Sequence, residues 1–444
     1  MMENRATRPN IIVFFTDQQR WDTCGCYNPQ NRLTPNLDKI AAQGARFEYA
    51  YTCQPVCGPA RAALQTGLYP TETGCYRNNI RLEPKYSTIA HCLNAEGYET
   101  GYVGKWHLAN VSEGPVPVKY RGGYRDCWKV ADMLEYTSLP YEGFVRDEND
   151  QKVFFKDRFR ADFITDLSID FLKSRSGEKP FFLFQSLIEC HHQNILSRYV
   201  APDGYAESCK DAWVPGDLAA HPGEGDWEKE LPDYYGMVKN IDENFGRMLD
   251  ALHETKQMEN TVILFISDHG SHFCTRNGEY KRSCHDACSR IPMIIHGPGF
   301  TGGKVIKEKL ASLIDIPPTI LDIAGARIPR YMQGLSLKDV FDSNIPWRSE
   351  IFMQISESQV GRAIFDGRFK YAVHAPEKDA WEHSCSDVYE EQFLYDLHAD
   401  PDEQMNLVLD PGYMEERRRL RVRLIEQVER IERYTPEVIA ASSM

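Results

Sequence analysis

The chain has 444 residues, 42% of them hydrophobic and 26% charged, with a formal net charge of −14. That length allows one large domain and a smaller one, and the acidic balance speaks against nucleic acid as a general partner. No apolar run is long enough for a membrane span, although a few converging cations would still suffice to bind a small anion. The segment Met1–Pro9 is polar and lacks an apolar leader with a cleavage site. The expected location is therefore the cytoplasm, or the periplasm if a leader has been removed. Thirteen cysteines, an odd number without a disulfide-like spacing, read as free thiols in a reducing compartment.

In chain order, short apolar runs read as buried strands of a mostly parallel sheet: Asn10–Thr16, Tyr98–Val103, Pro180–Leu187, Thr261–Ser267 and Ile291–His296. Helical patterns alternate with them, which implies an α/β domain. Thr34 is expected to cap a helix running to Gly44, and Met237, Ile241, Phe245, Met248 and Leu252 mark one face of a long helix. Gly104–Val145 and Ser197–Trp227 lack periodicity and read as long loops over a site. From about Trp347 the pattern shifts to the short strands IFMQIS, RAIFD, RFKYAVH and QFLYDL, then a helix with Leu420, Leu424, Val428 and Ile431 on one face. The expected organisation is a catalytic domain over 1–346 and a small subdomain over 347–444, an antiparallel sheet with one helix.

Two strands end in a carboxylate, giving Thr16-Asp17-Gln18 and Ser267-Asp268-His269-Gly270. Ligands of open α/β sheets bind beyond the carboxyl ends of the strands. Two carboxylates, an amide oxygen and an imidazole suit one hard divalent cation, Ca²⁺ or Mg²⁺; alternatively each Asp caps its own loop. In Cys57-Gly58-Pro59-Ala60-Arg61, Pro59 fits the first turn of a helix. Cys57 then meets the positive end of that helix, and Arg61 is placed to reach back toward it. A cysteine so placed is activated; the plain alternative is a small buried side chain.

The string CGPAR followed by TGLYP resembles the signature of the type I sulfatases, whose cysteine is oxidised to formylglycine and attacks in hydrated form. PNIIVFFTDQQ, GYVGKWHL, SDHG and the tail FLYDLHADPDEQMNL resemble further elements of that family, in the same order and over nearly the whole chain. The resemblance implies an alkaline-phosphatase-like fold and a hydrolase of sulfate monoesters. It implies metal ligation by Asp17, Gln18, Cys57, Asp268 and His269. It gives Arg61 the role of steadying the formylglycine, and gives Lys105 and Lys281 the sulfate oxygens. His107 would serve the formylglycine and its regeneration, and His191 would protonate the leaving alcohol. A formylglycine-generating maturation enzyme is then a required partner. The chemistry agrees: diffuse oxyanion charge wants a cation and lysines, and a poor alkoxide leaving group wants an acid.

His192 stands beside His191 as an alternative acid, and Arg282 beside Lys281. Gln18 and His269 depart from the more usual family residues and resemble those of phosphonate monoester hydrolases, so a phosphonate or phosphodiester substrate is the alternative. A non-catalytic binding protein is a third reading, opposed by a complete residue set. His272, Cys274, Cys284, His285 and Cys288 form a soft-ligand cluster without a zinc-type paired spacing. His272 and His285, with His192, Arg77 and Asn78, are expected instead to line the substrate pocket. Loops rich in His, Arg, Tyr and Trp suit a polar, sulfated-glycan substrate.

Overall fold

The structure is a computed structural model that describes residues 8–441. Most of Met1–Pro9 therefore lies outside the described residues. The apolar runs form the middle of a large mixed sheet, in which Cys127–Ala131, Glu99–Lys105, Phe181–Ser186, Asn10–Thr16 and Thr261–Ser267 lie side by side and run parallel. Met293–His296 adds to Thr261–Ser267 antiparallel. In the strand Asn10–Thr16, Ile12 and Phe14 enter one core while Ile11, Val13 and Phe15 enter the other. This alternation with both faces buried explains why the strand reads as a continuous apolar run. The long helix Trp227–Glu254 covers the first face with Met237, Ile241, Phe245, Met248 and Leu252. The helices Cys57–Thr66, Ile89–Ala95 and Ile316–Ile323 cover the second.

The helix after Thr34 is shorter than expected, Pro35–Ala41, and the Thr34 hydroxyl bonds to Asp38 and Gly25 rather than capping it. Gly104–Val145 is not a plain loop. It carries the strand Cys127–Ala131, the helical turn Leu134–Thr137 and most of the strand Glu142–Arg146. Five-residue strands borrow their stability from a neighbouring strand, so their own pattern is weak. Ser197–Trp227 holds only short turns, Glu207–Cys209 and Gly216–Ala219.

The second sheet orders Ile351–Ile355, Gly361–Phe365, Phe369–His374, Val388–Asp396 and Glu437–Ile439. Its first four strands are antiparallel, but Glu437–Ile439 joins Val388–Asp396 in parallel, a departure from the expected purely antiparallel sheet. The helix Met414–Glu432 supplies the crossover that parallel pairing needs. Its Leu420, Leu424, Val428 and Ile431 pack on one face of the sheet, while Met353 and Phe365 on the other meet Tyr51 and Cys284 of the large domain. Among the described residues no helix is long and apolar enough to cross a membrane.

Candidate active site

Thr16 and Ser267 sit opposite each other in the parallel register, so Asp17 and Asp268 emerge together at the carboxyl edge of the sheet. Two strands away Glu99–Lys105 ends in Lys105, and His107 follows it with a φ of +62°. Between them Phe181–Ser186 leads into His191. Gly104 is required here: its φ is +111°, and a Cβ would lie 1.9 Å from the Ser186 carbonyl oxygen. The helix Cys57–Thr66 ends on the same edge, with Cys57 as its first residue.

These elements bring ligand atoms of Asp17, Cys57, Asp268 and His269 within 4.8 Å of one another, all buried. Cys57 Sγ lies 3.4 Å from Asp17 Oδ1, 3.3 Å from His269 Nε2 and 2.8 Å from Lys281 Nζ. Lys281 Nζ also approaches His191 Nε2 at 3.1 Å. Arg61 donates to Asp17 Oδ2 at 2.9 Å and to the Lys105 carbonyl, so it holds the strand ends and has no hydrogen bond to Cys57. Lys105 lies behind Asp17, 3.0 Å from its Oδ2 and 3.2 Å from Glu135 Oε1. It is fully buried and does not line the cleft.

The electrostatics follow from this crowding. Burial opposes ionisation of Asp17, but Lys105, His191, Arg61 and Lys281 hold it well below the usual carboxylate range. Burial, and then the charge of Asp17, push Asp268 up to about 7. Burial and Asp17 push the Cys57 thiol up to about 12, so the thiol stays protonated despite its helix position. Burial thus works against the activation that the helix start would give an unmodified thiol. Burial and Lys281 hold His191 and His269 well below the usual histidine range, and burial with Lys105 does so for His107.

A divalent cation fits this donor set. Asp268 Oδ2 and Gln18 Oε1 are buried acceptors with no hydrogen-bond partner. The Gln18 amide nitrogen is tied to Tyr199 at 2.7 Å and to Ser271 at 3.3 Å. His269 Nδ1 sits 2.9 Å from the Gly270 carbonyl, which leaves Nε2 with a lone pair for a metal. Two adjoining buried carboxylates share a site comfortably only with positive charge between them.

The cleft above has a volume of about 180 Å³, and Gln18, Cys57, Asn78, His107, His191, His192 and Lys281 line it. Sequence reasoning missed Glu135, Asn79, Tyr136, Asn194, Tyr280 and Trp381, which also line it. Glu135 and Tyr136 come from a turn that reads as loop, and Trp381 from a loop of the small sheet. A larger cavity, about 370 Å³ beside Asn36, His253 and His296, contains none of these groups. Arg77, expected in the pocket, does not itself line the cleft; it sits just outside, bonded to the carbonyl of Trp381, which does line it. His272 and His285 do not reach the cleft: His272 is fully buried, and His285 packs against Phe393 and Tyr395 under the small sheet. The chain doubles back after Gly270, with the His272 amide on the Tyr280 carbonyl, so only Glu279–Arg282 of this segment faces the cleft. Among the described residues its histidines and cysteines form no metal-type group.

A family model described as Sulfatase matches residues 9–326, and one described as N-sulphoglucosamine sulphohydrolase, C-terminal, matches residues 278–430. An arylsulfatase of Clostridium perfringens is 31% identical over 479 residues, covering 96% of each chain. An N-acetylglucosamine-6-O-sulfatase of Bacteroides thetaiotaomicron is 25% identical and covers 96% of this chain and 87% of its own. A protein solved in complex with its substrate D-glucosamine-2-N,6-O-disulfate superposes with a TM-score of 0.78 at 24% identity, over 97% of this chain and 99% of that one, which speaks to the fold alone. The architecture is alkaline-phosphatase-like. The chain belongs to the sulfatase family and is a sulfuric ester hydrolase.

Proposed function

We propose that the enzyme removes a sulfate ester from a carbohydrate, using a formylglycine made from Cys57 and one hard divalent cation, calcium before magnesium. The observation that carries this reading is the convergence of Asp17, Cys57, Asp268 and His269 at the floor of a cleft walled by His107, His191 and Lys281. Gln18 Oε1 completes the proposed ligand set.

A cation held there supplies Lewis-acid stabilisation of sulfate oxygen charge, and the hydrated aldehyde at position 57 supplies the attacking hydroxyl. Lys281, on the cleft side of position 57, binds a sulfate oxygen. Arg61 and Lys105 act on Asp17, keeping it ionised and oriented; Lys105 supports the floor rather than gripping sulfate directly. His191 gives its Nε2 proton to the leaving oxygen. In the free site burial and Lys281 keep that imidazole neutral, and an incoming anionic ester next to Lys281 shifts the balance toward the protonated form. His107, both of whose ring nitrogens lack partners, hydrogen-bonds the group at position 57 and moves the proton its regeneration requires. Cys57 is only 1% exposed in the folded chain, so the maturation enzyme must act before folding buries it, in whichever compartment, cytoplasm or periplasm, the two share.

The carbohydrate part rests on the polar cleft and on sugar-sulfatase relatives such as the N-acetylglucosamine-6-O-sulfatase. Gln18 and His269 keep one alternative, a phosphonate monoester or phosphodiester substrate. The deciding experiment compares kcat/KM on sulfated mono- and disaccharides, aryl sulfates, phosphate diesters and phosphonate monoesters. Highest turnover on a sulfated sugar is expected. Activity confined to aryl sulfates removes the carbohydrate part, and a preference for phosphonates removes the sulfate assignment.

A further inference from the structure

Trp381 stands at the mouth of the cleft with 41% of its surface exposed. The segment 375–387, between strands Phe369–His374 and Val388–Asp396 of the small sheet, carries it there. Its backbone is pinned on both sides. The carbonyl oxygen accepts from Arg77 Nε at 2.7 Å and from the Tyr76 hydroxyl at 3.3 Å, and the amide donates to Asp379 Oδ1 at 2.8 Å. The guanidinium carbons of Arg77 and Arg282 lie 5.7 Å and 5.9 Å from its ring centroid. A rigidly held indole with an exposed surface loses little freedom when a ligand stacks on it.

The two arginines differ. Arg282 is neutralised by Glu279 at 2.8 Å and Glu357 at 2.5 Å. Arg77 spends its Nε on the Trp381 carbonyl and its Nη1 on the Asn78 carbonyl at 3.0 Å. Among the described residues no carboxylate lies within ion-pair distance of it. The next residue, Asn78, accepts from the Gly58 amide at 2.9 Å, which ties this rim to the first turn of the helix that begins at Cys57. In a chain of net charge −14, a cation without an acidic partner, next to two residues that line an anion-cleaving cleft, is a docking point for negative charge.

We propose that Arg77 and Trp381 form a second subsite, which binds a second anionic group of the substrate while Trp381 stacks on the sugar ring that carries it. The substrate class is then a polyanionic glycan, with a carboxylate or a further sulfate near the ester that is cleaved. This rests on the carbohydrate reading above.

The test uses three disaccharides with the same scissile sulfate: one with no other charge, one with an added uronate carboxylate, one with an added second sulfate. Wild-type enzyme should favour one or both doubly charged substrates by about tenfold in kcat/KM, the scale of one charge-assisted hydrogen bond, with the difference in KM. Whichever arm is favoured identifies the anion. Arg77→Gln should bring the ratio of doubly to singly charged substrate close to one, and Arg77→Lys, which keeps the charge, should restore part of it. Raising the salt concentration should shrink the wild-type ratio, because a partly exposed pair is screened. Trp381→Ala should raise KM for all three disaccharides. A wild-type enzyme that cleaves the sugars without regard to the second charge, or a ratio untouched by Arg77→Gln, overturns the subsite and leaves the carbohydrate reading standing. Cleavage of aryl sulfate with none of the sugars cleaved overturns both.

Discussion

The floor of the cleft and the junction beneath the small sheet each bury two carboxylates against a lysine. At the floor these are Asp17, Asp268 and Lys105; at the junction they are Asp286, Glu403 and Lys370. Burial splits both pairs in the same way. Asp17 and Asp286 are held low, while Asp268 and Glu403 are each pushed up to about 7. The hydrogen bonding differs. At the junction Lys370 bonds Asp286 and meets Glu403 Oε1 at 2.7 Å, while the Asp286 amide donates to Glu403 Oε2 at 2.6 Å. All four carboxylate oxygens there lie within ion-pair or hydrogen-bond distance of a donor, although the neighbouring Tyr51 hydroxyl has no hydrogen-bond partner, and the cluster ties the small sheet to the large domain. At the floor Asp268 Oδ2, Gln18 Oε1 and both His107 nitrogens have no hydrogen-bond partner, and the group lies beneath a cleft. Shifted protonation is common to both; unsatisfied acceptors beneath a cleft distinguish the one proposed to do chemistry.

Substitutions should separate the two clusters in opposite directions. The largest effect is expected of Asp268→Asn, which should lower kcat/KM by at least about 10³-fold. In chelator it should melt no lower than wild type, because the repulsion with Asp17 is gone; steady-state rates and thermal melts in EDTA check both halves. Lys370→Met should do the reverse, costing about 3–5 kcal/mol of stability by leaving buried carboxylates unpaired, with kcat per folded molecule little changed. Denaturant unfolding alongside active-site titration measures this.

A smaller effect concerns pH. The raised value of Glu403 makes the folded state the better proton binder between pH 4.5, its ordinary value, and about 7. Its contribution is therefore fully present below pH 4.5 and lost as pH rises to about 7. Glu403→Gln should flatten that decline, a change of no more than about 3 kcal/mol across the window, read from unfolding at a series of pH values. The smallest effect is expected of His285→Gln. Its imidazole contacts Ser283 and Tyr395 rather than the cleft, so kcat/KM should stay within about twofold of wild type. A tenfold loss without loss of stability would return His285 to the site.

The parts legible in the sequence were those where local pattern and chemistry coincide. Asn10–Thr16 and Thr261–Ser267 match their apolar runs residue for residue, so the aspartates that follow them had to share an edge. CGPAR marked the start of its helix. Illegible were positions fixed by long-range pairing. Lys105 was expected in the loop that follows Val103, but the strand runs on to it, and only the three-dimensional packing puts Glu135 beside it and turns its ammonium toward the back of Asp17. His272 and His285 follow SDHG closely, yet a reversal of the chain hides them while bringing Lys281 to Cys57. Trp381 lies 324 positions from Cys57 in the sequence and reaches the cleft only because the small sheet docks where it does.

The central claim is that position 57 acts as a modified residue, a reading supported by membership of the sulfatase family and by the place of Cys57 at the floor of the cleft. Mass spectrometry of the tryptic peptide Phe47–Arg61, from active enzyme made in a host able to mature sulfatases, tests it most directly. An aldehyde in place of the Cys57 thiol is the expected result. Full sulfatase activity from protein whose Cys57 is entirely an unmodified thiol would contradict the account.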